Sequence, residues 1–453
     1  MKIYSTLTKT VEEFVPINGM NVNLFVCGPT VYDYPHLGHA KTYIQFDFVV
    51  RYLRWRGYDV TYLQNITDID DKIINRANEN GFKWNELSRK FEEIYIEDMK
   101  SLGNTSVNKY ARATDYISQI VKQVQTLIDK GFAYKTTDGI YFEVAKFKDY
   151  GKLSKRTEVK ENDSLSRIDE DKEKRGWNDF CLWKNYKEGE PFWETELGKG
   201  RPGWHIEDTA ITETEFGPQY DIHGGAVDLI FPHHEAEISQ MEAVSGKVPL
   251  VKYWMHTGFL NINSEKMSKS KENFITIREA LKLYDFRVIR YLFLNTHYRS
   301  EIDFSELTLI QAQNSVEKLN IFVNSIDKNF DDSEHTDLIN KIKSEVIEAL
   351  DNDFNAPIAW AAIYEGVRQF NIAGKLGKNV FRFFEELNSI FEVIDFSKLE
   401  VPEDILKLAK ERTDAKSAKD WAKADELREK IKTLGYLVED FKNDCKIRKL
   451  VLS

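Results

Sequence analysis

The chain has 453 residues, 42% hydrophobic and 30% charged, with a formal net charge of −11; that length carries two or three domains, and the composition is that of an ordinary globular protein. No apolar run approaches a membrane span, and the N-terminus Met1-Lys2-Ile3-Tyr4-Ser5-Thr6 lacks a basic-then-apolar signal pattern. Cys27, Cys181 and Cys445 are too few and too scattered for a disulfide framework, so a cytoplasmic protein is expected, and the acidic balance argues against one that coats nucleic acid non-specifically.

Residues 1–21 read as a lead-in without chemistry. Val22–Val26 is an apolar run bounded by Asn and Gly, a short buried strand. After it, Tyr43, Phe46, Val49, Val50 and Leu53 recur at helical steps and stop before Gly57. Strand, tight turn and helix N-terminus together make the arrangement in which α/β proteins bind anions. GxGxxG and GxxxxGK[ST] are both absent from it. His36 and His39, three apart at the helix start, can instead aim imidazole N–H donors at phosphate, and Gly38 leaves room for a flat base. Taken alone, such a pair is more often structural. Asp59–Ile66 is a second strand, completing a βαβ unit that is expected to be right-handed.

Asp68, Asp70 and Asp71 invite a metal or acid/base hypothesis, but the first turn of a helix, where negative charge offsets the dipole, is the preferred reading. Helical spacing then dominates residues 72–130. Lys155–Lys174 is a charge run without apolar period, expected to be a mobile surface insertion. Apolar character returns at Phe180-Cys181-Leu182-Trp183, where Cys181 reads as a core thiol. In Phe231-Pro232-His233-His234-Glu235-Ala236-Glu237, Pro232 suits a first helical position, and His233 and Glu237 share a helical face. Cys27 at the end of the first strand and Asp208 in a loop would bring the set to four ligands of types zinc accepts. Lys266-Met267-Ser268-Lys269-Ser270 lies between a strand-like run (Trp254–Ile262) and a helix starting near Ile277, and by itself looks like a solvated turn. From Leu307 onward the pattern is helical, with a buried face from Phe354 to Phe370 behind an Asp351-Asn352-Asp353 cap. Residues 401–453 carry 13 Lys and Arg against 11 Asp and Glu. That mild basicity is permissive for RNA contact.

Two of these stretches gain meaning together. HLGH and KMSKS, in that order, resemble the paired signatures of class I aminoacyl-tRNA synthetases. Across nearly its whole length the chain resembles the bacterial cysteinyl-tRNA synthetases, in the blocks CGPTVYDYPHLGHA, NITDIDDKIINRANENG, DFCLWK, GRPGWHIED, DIHGGAVDLIFPHHEAEISQ, KMSKS and KDWAKADELREKI. The resemblance implies a doubly wound, Rossmann-like parallel α/β catalytic domain with an insertion, followed by a C-terminal α-helical bundle. Its expected parts are residues 1–135 and 201–306 for the two catalytic halves, 136–200 for the insertion, 307–400 for the stem and anticodon-type bundle, and 401–453 for a helical basic tail.

The activity it implies is ATP-dependent formation of cysteinyl-adenylate, then transfer to the 3′-terminal adenosine of tRNA(Cys), by a monomer. His36, Gly38 and His39 would bind ATP. Lys266 and Lys269 would close on the leaving pyrophosphate, with magnesium accompanying the nucleotide. Thr67, Trp204 and His223 are candidate walls for L-cysteine. Zinc would be held by Cys27, Asp208, His233 and Glu237, and here the chain departs from the family, which carries a second Cys where Asp208 stands. Exchanging thiolate for carboxylate keeps the charge and hardens the site. Two outcomes follow: zinc still binds, more weakly, or the metal is lost and polar groups select the thiol. The ending Asp444-Cys445-Lys446-Ile447-Arg448-Lys449 also departs from the family's Trp-containing one. Two rival functions are the cysteine ligase of mycothiol synthesis, which would not need residues 310–453, and a non-catalytic RNA-binding relative, which would not need intact His36, His39, Lys266 and Lys269.

Overall fold

A computed structural model describes residues 1–156, 173–266, 274–397, 402–441 and 444–449. At its centre is a five-stranded sheet in the order Val251–Thr257, Tyr220–Ala226, Asn21–Val26, Asp59–Ile66, Lys109–Arg112. Every pairing in it is parallel. The chain winds outward from Asn21–Val26 through Asp59–Ile66 to Lys109–Arg112, then returns to add two strands on the other side. This is a doubly wound sheet, and its order reverses between Asn21–Val26 and Tyr220–Ala226, where such folds open a crevice at the carboxyl ends of the strands. Val22, Leu24, Phe25, Val26 and Ile222 are fully buried, as strands covered on both faces require.

Helix Leu37–Trp55 links the first two strands. It is buried on most sides because helix Phe286–Leu294 and the C-terminal bundle pack over it. A buried ion pair fastens these parts: Asp47 Oδ2 accepts from Arg290 Nη2 at 2.8 Å and Arg51 Nε at 2.7 Å, and Asp47 Oδ1 from the Thr105 and Ser106 amides. Burial would raise the Asp47 carboxyl, but Arg290 and Arg51 outweigh it and hold the group below its ordinary 3.8. Asp47→Ala would strand the Arg290 guanidinium, so a loss of about 3–5 kcal/mol is expected in chemical denaturation. Because the folded value is depressed, this contribution is fully present above the ordinary carboxyl range and fades as pH falls through the folded value.

Between the third and fourth parallel strands lies an antiparallel sheet in the order Ala133–Lys135, Gly139–Phe142, Phe180–Asn185, Gly198–Pro202, Trp193–Thr195. Cys181 is buried in it beside Tyr134 and Tyr141. Most of the charge run 155–174 falls outside the described residues. Asp70 caps helix Asp71–Asn80 through its own side chain, and Asp71 bonds Lys184 and Arg201 of the antiparallel sheet. Asp68 is buried against Thr114 and Arg89.

Helices Glu306–Asn324, Thr336–Leu350, Ala356–Ala373 and Lys378–Phe391 form the bundle, and their core is continuous with that of the catalytic sheet. Two details differ from expectation. Asn355, not Asp351–Asp353, caps helix Ala356–Ala373, its side chain accepting from the Ile358 amide. Asp353, at φ 59°, is instead consumed by Tyr4 N, Tyr298 OH and Arg299. The tail is also not wholly helical: after helices Glu403–Ser417 and Trp421–Thr433, Tyr436–Phe441 pairs antiparallel with Asp444–Lys449. Gly435 at φ 85° ends the second helix, and Tyr436, Val438 and Ile447 then pack on a small core of Ile405, Ala409 and Ile431. Alternation on one face of a short hairpin prevails over helical composition there.

Candidate functional site

The crevice at the switch point is a cleft of about 490 Å³. Cys27, Gly28, His36, Gly38 and His39 line it from the first strand and its helix, Trp204 and His233 from the second half, and Gly258, Leu260 and Phe274 from the segments flanking 267–273. Gly28 sits where a Cβ would lie 1.8 Å from the Asn65 carbonyl oxygen, so only glycine lets the turn pass this close to the neighbouring strand.

His36 is the N-cap of helix Leu37–Trp55. Its Nδ1 accepts from the Gly38 amide at 3.0 Å, and His39 Nδ1 accepts from the His36 amide at 3.2 Å. Both Nδ1 atoms are therefore acceptors, which leaves the proton on each Nε2, the nitrogen able to donate onward. The rings stack at 3.8 Å between centroids. Lys266 ends a hairpin in which Glu265–Lys266 pairs with Asn261–Ile262 through Asn263 and Ser264, both at positive φ as a two-residue primed turn demands. Lys269 lies outside the described residues. On the far side of that gap, Phe274 packs edge-on against His36 at 5.0 Å, His36 bridges Thr276, and the Leu37 amide donates to the Ile275 carbonyl. The described end of the lysine-bearing segment at Phe274–Thr276 thus stands at the histidine turn.

The four expected metal ligands meet around His233. His233 Nε2 lies 3.5 Å from Cys27 Sγ, 3.1 Å from Asp208 Oδ2 and 3.1 Å from Glu237 Oε1. Tetrahedral bonds of about 2.0–2.3 Å place neighbouring ligand atoms roughly 3.3–3.7 Å apart; Asp208, His233 and Glu237 form one close donor group near that spacing, and Cys27 joins it through His233. Neither oxygen of buried Glu237 makes a well-formed hydrogen bond among the described residues. Burial, with Asp208 beside it, pushes Glu237 well above its usual range, and burial pushes Asp208 up to about 7. Two carboxylates forced together in a dry pocket call for a positive charge between them. The donors therefore fit a divalent cation. Helix Glu235–Ser245 begins later than Pro232, which stands in a cis peptide ahead of it, yet His233 and Glu237 still converge. Asp208 belongs to helix Trp204–Phe216 rather than a loop, which gives the carboxylate a fixed position.

Of the expected wall residues, Trp204 lines the cleft and stacks on His233 at 3.8 Å. Thr67 and His223 lie behind the wall. The Thr67 amide donates to Pro29 O, and His223 Nδ1 is 2.6 Å from Tyr220 OH and 3.6 Å from Glu237 Oε2. Sequence reasoning passed over His234, which with Cys27 and His233 forms a second potential donor group. Its Nδ1 is 2.8 Å from His256 Nε2. Burial holds His234 and His223 well below 6.5, so both present neutral imidazoles. The adjacent pair His233-His234 was the available signal.

Residues 13–314 match a family model described as the tRNA synthetases class I (C) catalytic domain, residues 345–394 a DALR domain, and residues 399–448 a cysteinyl-tRNA ligase anticodon binding domain. Among similar proteins, a cysteine–tRNA ligase of Thermoplasma acidophilum is 45% identical over 97% of this chain and 98% of its own length. One from Clostridioides difficile is 41% identical over 99% and 100%. In overall fold the chain is similar to Mycobacterium tuberculosis methionyl-tRNA synthetase in complex with methionyl-adenylate, with TM-score 0.59 at 15% identity, covering 82% of this chain and 89% of that one.

Proposed function

The chain belongs to the cysteine–tRNA ligase family of class I synthetases, and from that premise we propose how its own residues divide the work. As a member it joins cysteine to tRNA at the expense of ATP. In the first step a cysteine carboxylate oxygen bonds to the α-phosphorus of ATP while the bond to the bridging oxygen breaks, giving cysteinyl-adenylate and pyrophosphate. In the second a ribose hydroxyl of the terminal adenosine takes the acyl group and AMP leaves. Neither step needs a protein nucleophile. Catalysis is placement of the reactants and stabilisation of charge on the phosphates.

His36 and His39 donate from Nε2 to the phosphate region, with Gly38 beside them. Lys266 and Lys269 move onto the departing pyrophosphate, meeting charge that grows only in the transition state. Magnesium travels with the nucleotide. Cys27, Asp208, His233 and Glu237 hold zinc, which when bound supplies a Lewis acid for the substrate thiol. Trp204, stacked on His233, closes one wall of the amino-acid pocket, and His223 and Thr67 support it from behind. The matched anticodon-binding segment favours tRNA(Cys), met by a single chain in the cytoplasm, over the amino sugar of mycothiol synthesis, which calls for no such segment.

The observation that carries this reading is the meeting of the histidine turn, Gly258–Leu260, Phe274 beyond the lysine segment, and Cys27 and His233 in one cleft. Charging of tRNA(Cys) with labelled cysteine tests it. Cysteine-dependent ATP–pyrophosphate exchange without tRNA charging would indicate the amino-sugar ligase, and loss of both activities would indicate the non-catalytic relative.

A further inference from the structure

Lys41, one turn into helix Leu37–Trp55, lines the cleft and is 1% exposed. Its ammonium donates to the Gly258 carbonyl. A charged neighbour is Glu301, which follows the turn at Tyr298–Ser300 and itself accepts from Asn261. Burial pulls the lysine from 10.5 down to about 7, with Glu301 raising it in part. An ammonium removed from water is costly, and a Met of similar length would fill the same space without that cost. A perturbed cation in a cleft is a functional candidate on physical grounds.

What it holds is specific. Gly258 starts the segment that runs along the cleft to Leu260, and it is pressed against its neighbour: a Cβ there would meet the Ser300 carbonyl oxygen at 2.5 Å. The Gly258 amide donates to Tyr298 O, and Phe259 O accepts from the Ile302 amide. Those bonds tie the segment to the Tyr298–Ile302 stretch, while neighbouring Thr257 meets Thr42 of the helix at 3.0 Å. The bond from Lys41 ties it inward, to the helix that begins at His36.

We propose that Lys41 is a positioning residue for the nucleotide: its ammonium, bound to the Gly258 carbonyl, sets the spacing between the Gly258–Leu260 wall and the His36–His39 turn. This rests on the ATP-site reading above. The test is carried out on the full chain with Lys41→Met and Lys41→Arg, varying ATP and cysteine separately in pyrophosphate exchange and measuring Tm. Lys41→Met raises the KM for ATP on the order of ten-fold, the loss of one charge-assisted hydrogen bond, with the KM for cysteine and Tm unchanged. Lys41→Arg keeps donor and charge and brings the KM for ATP back towards the wild-type value. An unchanged KM for ATP in the folded Met variant, or a parallel rise in both KM values, overturns the proposal. Should Lys41→Met not fold, Lys41→Gln, which retains a donor without charge, is read by the same criteria. His39→Ala separates the two readings: if it is also normal, the ATP site itself is misassigned, whereas a defective His39→Ala beside a normal Lys41→Met removes only the positioning role.

Discussion

His39→Ala is expected to lower the rate of cysteine-dependent ATP–pyrophosphate exchange by on the order of 10²–10³, with little loss of stability. The reason lies in the tautomer. His39 Nδ1 is occupied by the His36 amide, so its remaining proton sits on Nε2, and the helix fixes the ring before substrate arrives. Removing one preorganised donor to a developing anion costs about 2.7–4 kcal/mol of barrier in comparable sites. The structural loss includes one capping bond, about 1 kcal/mol, and the ring stacking on His36, which a Tm measurement reads separately from the rate. His39→Asn can restore an acceptor near the cap without an imidazole donor. Recovery of exchange in His39→Asn would count against the donor role.

The second large effect concerns the donor set. His233→Ala is expected to remove zinc from the purified protein and to raise the KM for cysteine at least on the order of a hundred-fold, because His233 Nε2 is the atom closest to the other three ligands. Asp208→Cys is expected to tighten zinc retention against a chelator, since a thiolate suits the ion better than a second carboxylate. Elemental analysis beside exchange assays with cysteine and serine measures both. A metal-free wild type that still selects cysteine over serine would sink the metal reading and leave polar groups as the source of selectivity.

Much of this was legible in the sequence because local pattern and local structure agree there. The apolar run before Cys27, the helical spacing after His39 and the strand Asp59–Ile66 all stand as read. The His233–Glu237 spacing forecast an approach that the fold delivers even though the helix starts at Glu235. The failures have a common physical origin. Asp353 reads as a cap, but long-range partners on Tyr4, Tyr298 and Arg299 claim it. The C-terminal hairpin has too few apolar residues to announce itself, and its small core forms only against two helices. Lys41 looks like any helix-surface lysine until Gly258, over two hundred residues later, is brought beside it. In each case a partner distant in the chain decides the role.

His36 shows what such shared duties mean for reading mutants. Its side chain caps a helix and supports the ring of Phe274, while its backbone pairs with Thr276 beyond the lysine segment. Replacing this side chain removes the cap, the ring contact with Phe274 and the imidazole at once, so the size of its defect carries no information about which was lost. Assigning the chemistry requires His39, which does not touch the lysine-bearing loop at Phe274, and a cap-competent replacement such as His36→Asn as its companion.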